Sequence, residues 1–200
     1  MLKLYDREAS GNAYKVRLLL SFLDVPYERI AVSMKDGKNE VDESYLRLNP
    51  RGQIPTLEDG DFSLWGSTAI LCYLAARYDK TARWLPRDPE PFGQVMQWLE
   101  LAQNEIQTGL FRARAIVHFG LAGDLDAAHQ AARQALGVLE ARLGQEAWLA
   151  GPGPTVADVA CFPYVALAKQ GHVDTAHCLG VQRWLADFKA LDRFVGMPGI

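Results

Sequence analysis

Pro86, Pro89 and Pro91 fall among charged residues between positions 79 and 91, and the hydrophobic rhythm of the chain differs on the two sides of this stretch. Proline fixes its own backbone and lacks a hydrogen-bond donor, so such a run reads as a linker. Before it, strand and helix patterns alternate. Leu2, Leu4 and Tyr5 make a short apolar stretch, and after the turn Ser10-Gly11-Asn12 the residues Ala13, Val16, Leu20 and Leu23 repeat at the spacing of one helix face. Leu18, Leu19 and Phe22 fill the flanks, which predicts a helix buried on most sides. Pro26 stops it, and residues 27–32 read as a second strand. Residues 33–45, rich in Lys, Asp and Glu, read as a surface loop or weak helix. Residues 56–58 and 62–64 are short strands around Asp59-Gly60-Asp61, the pattern of a β-hairpin. Ser67 is placed to cap a following helix through Ile70, Leu71, Leu74 and Tyr78.

Beyond the linker every apolar repeat has helical spacing. Phe92, Val95, Leu99, Ile106, Leu110, Ala113 and Val117 mark one long helix, and Leu125 to Leu143 a second with Asp124 as its cap. A third begins at Thr155, and a fourth carries Val181, Trp184, Phe188 and Leu191. Strand–helix–strand, hairpin and helix, followed only by helices, implies an α/β domain joined to an all-α one. The expected architecture is a thioredoxin-like N-terminal domain over residues 1–78, a linker over 79–91 and a helical-bundle C-terminal domain over 92–200.

Composition narrows the function classes. The 200 residues are 49 % hydrophobic and 22 % charged with a net charge of −3, and no basic stripe provides a footprint for nucleic acid or an acidic membrane. No run approaches the roughly 20 apolar residues of a membrane helix, and the charged start MLKLYDREASG does not read as a signal peptide. A cytoplasmic location is therefore expected. Cys72, Cys161 and Cys178 form neither a CxxC pair nor a zinc pattern, His118, His129, His172 and His177 share no metal spacing, and a reducing compartment fits three widely spaced thiols.

Four segments together resemble the cytosolic glutathione transferases, in particular serine-type, bacterial-like members. SGNAYKVRLLL at 10–20 is similar to that family's first turn and helix, NPRGQIPTL at 49–57 to the loop before its third strand, GSTAILCYLA at 66–75 to its carboxylate-binding helix, and TVADVACFPY at 155–164 to the capping box of its second domain. The tail VGMPGI has the same flavour. The resemblance implies glutathione as co-substrate, a small hydrophobic electrophile as its partner, a homodimer and no metal.

Thiol chemistry requires a thiolate, which a hydroxyl donor and the free amides of a helix N-terminus stabilise. Ser10, just before the first helix, is the candidate activator; its local pattern fits a plain helix cap equally, and the resemblance points to the catalytic role. Tyr5 is the second choice, since other classes of the family use a tyrosine near the end of the first strand. The turn holds no cysteine, which disfavours disulfide exchange. The resemblance marks Ile54-Pro55 as a cis bond presenting the Ile54 backbone to the peptide, although trans is commoner from sequence alone. It also implicates Asn12, Gln53, Gly66 and Ser67 in holding the tripeptide, and Lys35 and Lys38 as candidates for its glycyl carboxylate.

Gly66 departs from the family pattern, which usually has an acidic or amide residue there for the ligand's amino group. Weaker binding, replacement by Asn104 or Glu105 of a second subunit, or a changed ligand would each follow. The electrophile is expected between the turn at Ala9 to Asn12 and the long helix near Phe111, Arg112 and Ala115. Thr155 and Asp158 read as a structural capping box. Two rival readings stay open: a non-catalytic binding or assembly module, to which Gly66 gives weight, and another glutathione-dependent activity such as isomerisation, peroxide reduction or dehalogenation.

Overall fold

The computed structural model describes residues 1–35 and 38–200, with side chains for all of these except 34, 35, 38 and 39. Strand β1 (Leu2–Asp6) pairs in parallel with β2 (Tyr27–Ala31) and antiparallel with β5 (Thr56–Asp59), which pairs with the edge strand β6 (Phe62–Trp65). Helix α1 (Gly11–Phe22) is the crossover between β1 and β2, and α3 (Ser67–Tyr78) follows the hairpin. Asp6, wholly buried at the end of β1, binds Arg17 of α1 and Arg29 of β2 at 2.5 Å each, which ties the three elements at one corner.

The polar segment after β2 is more ordered than its composition suggests. It holds a two-residue pair of strands, β3 (Met34–Lys35) and β4 (Lys38–Asn39), and then α2 (Glu43–Leu48), capped by the Asp42 side chain accepting the Tyr45 N–H at 2.8 Å. The hairpin turn is two residues, because Asp59 still pairs with Phe62. The Asp59 carboxylate accepts the Tyr73 and Tyr78 hydroxyls at 2.7 and 2.6 Å and so clamps the hairpin to α3.

The connecting segment ends at Asp88, three residues earlier than expected. Pro89 and Pro91 belong to the first turn of α4 (Pro89–Gln103), where a missing N–H costs nothing. The expected single long helix is broken. Asn104, at φ −101° and ψ −92°, ends α4, a wide π-type turn covers Gln107–Phe111, and α5 (Arg112–Phe119) resumes. Periodicity alone could not register the break, since a π turn shifts the repeat by one residue without removing apolar positions. Helix α6 (Leu125–Leu143) starts at its Asp124 cap, whose carboxylate accepts the Ala127 N–H at 2.9 Å.

Helix α7 (Val156–Ala166) is buried along ten consecutive residues, as a helix apolar on all sides must be. It packs against α1, α3 and α4 and so joins the sheet-bearing half to the helical half. Its start is the capping box: the Ala157 N–H donates to Thr155 Oγ1 at 3.2 Å and the Thr155 N–H to Asp158 Oδ2 at 2.9 Å. Asp158 does more than cap. Its other oxygen accepts the Leu149 N–H at 3.1 Å and the Trp184 indole at 3.0 Å, fastening α8 (Leu179–Lys189) and the loop after α6 to one fully buried carboxyl. Burial pushes that carboxyl up to about 6, against the donors that favour its charge.

Removing this acceptor strands several buried donors at once. Asp158→Ala should lower stability by about 3–5 kcal/mol and Thr155→Ala by about 1–2 kcal/mol. Urea denaturation midpoints compared with wild type test the ranking, and an Asp158→Ala loss no larger than the Thr155→Ala loss would show that the carboxyl only caps.

Candidate functional site

The turn from β1 into α1 opens onto a cleft of about 520 Å³, walled by α5 and the π turn on one side and by the loop before β5 on the other. A second cavity of about 200 Å³ adjoins it and reaches Gly66 and Ser67 at the start of α3. Asn12, Arg51, Gln53, Ile54 and Gln107 line both, so the two form one continuous groove.

Ser10 is the N-cap of α1, and its Oγ accepts the Ala13 N–H at 3.2 Å. Capping uses the hydroxyl as acceptor and leaves its proton to donate into the cleft that Ser10 lines, so the two roles weighed from the sequence coexist. Tyr5 does not line the groove. Its hydroxyl donates to Glu58 Oε1 at 2.6 Å, and burial together with that carboxylate raises the phenol to about 12.

Gly11 packs against α7 so closely that a Cβ there would stand 2.5 Å from the Tyr164 ring. Tyr164 thereby enters the cleft wall beside the first amides of α1. Burial pushes its phenol far above the ordinary value, opposed by Arg114, the Asn12 amide and Arg7. One turn deeper, Lys15 is wholly buried. Its ammonium lies 5.2 Å from the Tyr164 ring centroid and has no hydrogen-bond partner.

The Ile54–Pro55 bond is cis. Gln53 offers its carbonyl to the Tyr45 hydroxyl at 2.5 Å and to Asn49 Nδ2 at 2.6 Å, while Thr56 Oγ1 takes a second contact from each. Asn49 and Tyr45 thus brace the loop from behind. Neither was singled out from sequence, although an Asn directly before Pro50 in a loop is a turn signal.

Ser67 is not the cap of α3. Gly66 holds that position with no side-chain bond, and Ser67 is the first helical residue, 5 % exposed. Gly66 has φ +89°, a conformation that side chains resist, while a Cβ there would meet nothing within 4 Å. A longer residue here would have room but would have to adopt that positive φ. Asn12 and Gln107, which line both cavities, each carry a side-chain oxygen, Oδ1 and Oε1, that is buried without a partner.

Phe111 and Ala115 line the larger cavity as expected, but Arg112 turns away and donates to the Ala122 carbonyl at 2.7 Å. Arg114 takes its place, with Phe119 beneath its guanidinium. The lining arginine thus stands two residues beyond the expected one, after the π turn has reset the helical register. His118 is exposed and outside the lining, and the side chains of Lys35 and Lys38 lie outside the described residues. Burial raises the thiols of Cys72, Cys161 and Cys178, which suits packing rather than reactivity. Among the described residues no cluster of His, Cys, Asp and Glu could hold a metal ion, and no helix is long and apolar enough to cross a membrane.

The description "Glutathione S-transferase, N-terminal domain" matches residues 1–76, and "Glutathione S-transferase, C-terminal domain" matches residues 122–196. The chain is 31 % identical to glutathione S-transferase GstB of Escherichia coli over 82 % of each protein. The chain belongs to the glutathione S-transferase family. Glutathione S-transferase 2 of Schizosaccharomyces pombe is 32 % identical over 80 % of this chain and 73 % of that protein. The crystal structure of a glutathione S-transferase from Pseudomonas fluorescens superposes with a TM-score of 0.90 at 34 % identity, covering 98 % of each chain.

The buried ammonium of this transferase makes a testable contribution to stability. Burial lowers Lys15 to about 8, against about 10.4 in an unfolded chain. The folded state therefore releases its proton first, so the cost is full below pH 8 and is relieved as pH rises from there through the unfolded value. The shift corresponds to about 3 kcal/mol at pH 7. Lys15→Met should be more stable than wild type at pH 7, and the gap should narrow by about 2 kcal/mol near pH 9.5. Denaturant unfolding at the two pH values measures it, and a gap independent of pH would mean that the ammonium is solvated in the folded state.

Proposed function

We propose that this enzyme conjugates glutathione, as co-substrate, to a small electrophile, with Ser10 donating a hydrogen bond to the thiolate. The observation that carries the reading is the Ser10 hydroxyl, fixed at the α1 N-terminus and opening onto a groove with a cis-proline loop on one side and a helix start on the other. A thiolate seated there gains one charge-assisted bond and the field of the helix end. The Ile54 backbone pairs with the cysteinyl unit, and Ser67 with the first amides of α3 receives the γ-glutamyl carboxylate. Gln53 and Asn12 flank the peptide.

Gly66 does not leave the ligand's ammonium without an acceptor. Asn12 and Gln107 line the groove from the same subunit, and rotation of their side chains would turn the buried, unpartnered Oδ1 and Oε1 toward that ammonium. This supports glutathione as the ligand over the non-catalytic module and makes Asn104 or Glu105 of a second subunit unnecessary for that contact. Lys35 and Lys38 remain the proposed partners of the glycyl carboxylate, joined by Arg51. Residues 1–78 act as the glutathione-binding domain and the helices from α4 onward as the electrophile-binding one. A cytoplasmic homodimer belongs to the same proposal; exposed Phe62 and Trp65 on the edge strand and Phe92 on α4 are apolar surface for it.

Losing one charge-assisted bond to the sulfur is worth about 1.5–3 kcal/mol, so Ser10→Ala should lower kcat/KM with a generic aryl halide roughly 10- to 100-fold. The pH midpoint of the reaction should rise, since the bound thiol ionises less readily. Retention on immobilised glutathione should persist. Unchanged turnover would transfer the role to the α1 amides or Tyr164, and absence of retention in wild type would favour the binding-module reading.

A further inference from the structure

Three successive carbonyls, those of Arg7, Glu8 and Ala9, form the turn that carries the chain from β1 to Ser10, and each has its own donor. The Arg7 carbonyl accepts the Ser10 N–H at 2.9 Å and the Glu8 carbonyl accepts Arg17 Nη2 at 3.0 Å, both from the sheet-bearing half. The Ala9 carbonyl, one peptide bond from Ser10, accepts Arg114 Nη1 at 3.0 Å from α5 in the helical half. We infer that Arg114 is a positioning residue for the transfer reaction, setting the direction of the Ser10 hydroxyl through the Ala9 carbonyl. This rests on the Ser10 reading above and adds how that hydroxyl is oriented.

The peptide plane between Ala9 and Ser10 carries two polar groups, and both are held, the carbonyl by Arg114 and the N–H by the Arg7 carbonyl. A planar unit pinned at both edges cannot swing, which constrains the φ of Ser10, −81°, from outside the helix. From within it, the Ala13 N–H on Ser10 Oγ constrains the side chain. What remains is the hydroxyl proton, left to donate in the cleft that Ser10 lines.

Arg114 is itself firmly mounted. It is 2 % exposed, its Nε donates to Gln170 Oε1 at 2.6 Å, and the Phe119 ring centroid lies 4.8 Å from its guanidinium. Gln170 belongs to the 3₁₀ turn Ala168–Gly171, which presses on α5 so closely that a Cβ on Gly171 would stand 2.7 Å from the Arg114 backbone nitrogen. The planar fork serves Gln170 and Ala9 in two fixed directions at once, which the single ammonium of a lysine could not reproduce. Gln170 lies outside the cleft lining, so it acts on the site only through Arg114. The Ser10 turn is thereby referred to α5, the helix that walls the same cleft.

Turnover of 1-chloro-2,4-dinitrobenzene with glutathione by wild type, Arg114→Met, Ser10→Ala and the double variant tests this as a mutant cycle. Arg114→Met should lower kcat roughly tenfold, while KM for glutathione, whose backbone and carboxylates are held elsewhere in the groove, stays within about twofold of wild type. In the Ser10→Ala background the same substitution should cost no more than about twofold, because no hydroxyl is left to orient. Equal losses in the two backgrounds overturn the inference and would mean that the guanidinium acts on the ligands or on the fold alone. A rise in KM at unchanged kcat overturns it as well. Gln170→Leu covers the case in which Arg114→Met does not fold, since it keeps the guanidinium and removes its mount. It should lower kcat about threefold with Ser10 present and not in the Ser10→Ala background; an unchanged kcat, or an equal loss in both, again overturns the inference. Ser10→Ala with wild-type kcat defeats this inference and the Ser10 reading together, whereas a Ser10→Ala loss that simply adds to that of Arg114→Met defeats this inference alone.

Discussion

The seam between α1 and α7 sets the position of nearly everything else. Helix α1 packs against α3 and α7, with Leu18, Leu19 and Leu20 all buried and Gly11 and Lys15 against Tyr164 of α7, so it has almost no free face. Because Gly11 has no side chain, the Tyr164 ring closes to contact distance and fixes where α5 and the π turn stand relative to the first turn of α1. The cleft is the space this approach leaves open. Arg114 crosses the same seam to the Ala9 carbonyl, and the Trp84 carbonyl accepts the Val156 N–H at 2.9 Å, so backbone groups on both sides are tied to the helical half.

That seam is carried by packing and not by charge. Ten consecutive buried residues of α7 interlock with α1, α3 and α4, and the one buried ammonium on the interface is a cost that the surrounding apolar contacts absorb. Asp158 works differently. Sitting at the start of α7, it converts a helix cap into a three-way junction with α8 and the loop after α6, so the orientation of the central helix and closure of the helical half depend on one carboxyl. Helix α7 thus presents Tyr164 near one end to the cleft while its other end is anchored by the hydrogen bonds of Asp158.

How legible this was depends on the kind of signal. Helices α1, α6 and α7 and the hairpin were readable because their apolar spacing, caps and turn glycine agree, with Asp124, Thr155 and Asp158 acting as predicted, and α3 was readable from its spacing alone. Ser67 was misread as a cap because serine is the commoner choice, whereas Gly66 takes that place through its positive φ, a backbone property that sequence does not display. The break at Asn104 and the π turn were invisible, since apolar residues continue through them, and the arginine that lines the larger cavity is Arg114 where Arg112 was expected. Lys15, Tyr164 and Gln107 went unmarked for a related reason. Each lies in an ordinary helical repeat and gains meaning only from a partner far along the chain.

The groove is consequently polarised in a way that neither half encodes alone. Toward α3 its lining includes Asn12 and Gln107, each with a buried, unpartnered oxygen. Toward α5 its lining includes Arg7 and Arg114 beside Phe111 and Phe119. Ser10 stands between these ends, at the N-terminus of α1, where the helix field favours negative charge. Both walls are referred to the same fixed point, because the Ser10 turn between them is held by the cap to Ala13 and by the close approach of Gly11 to Tyr164.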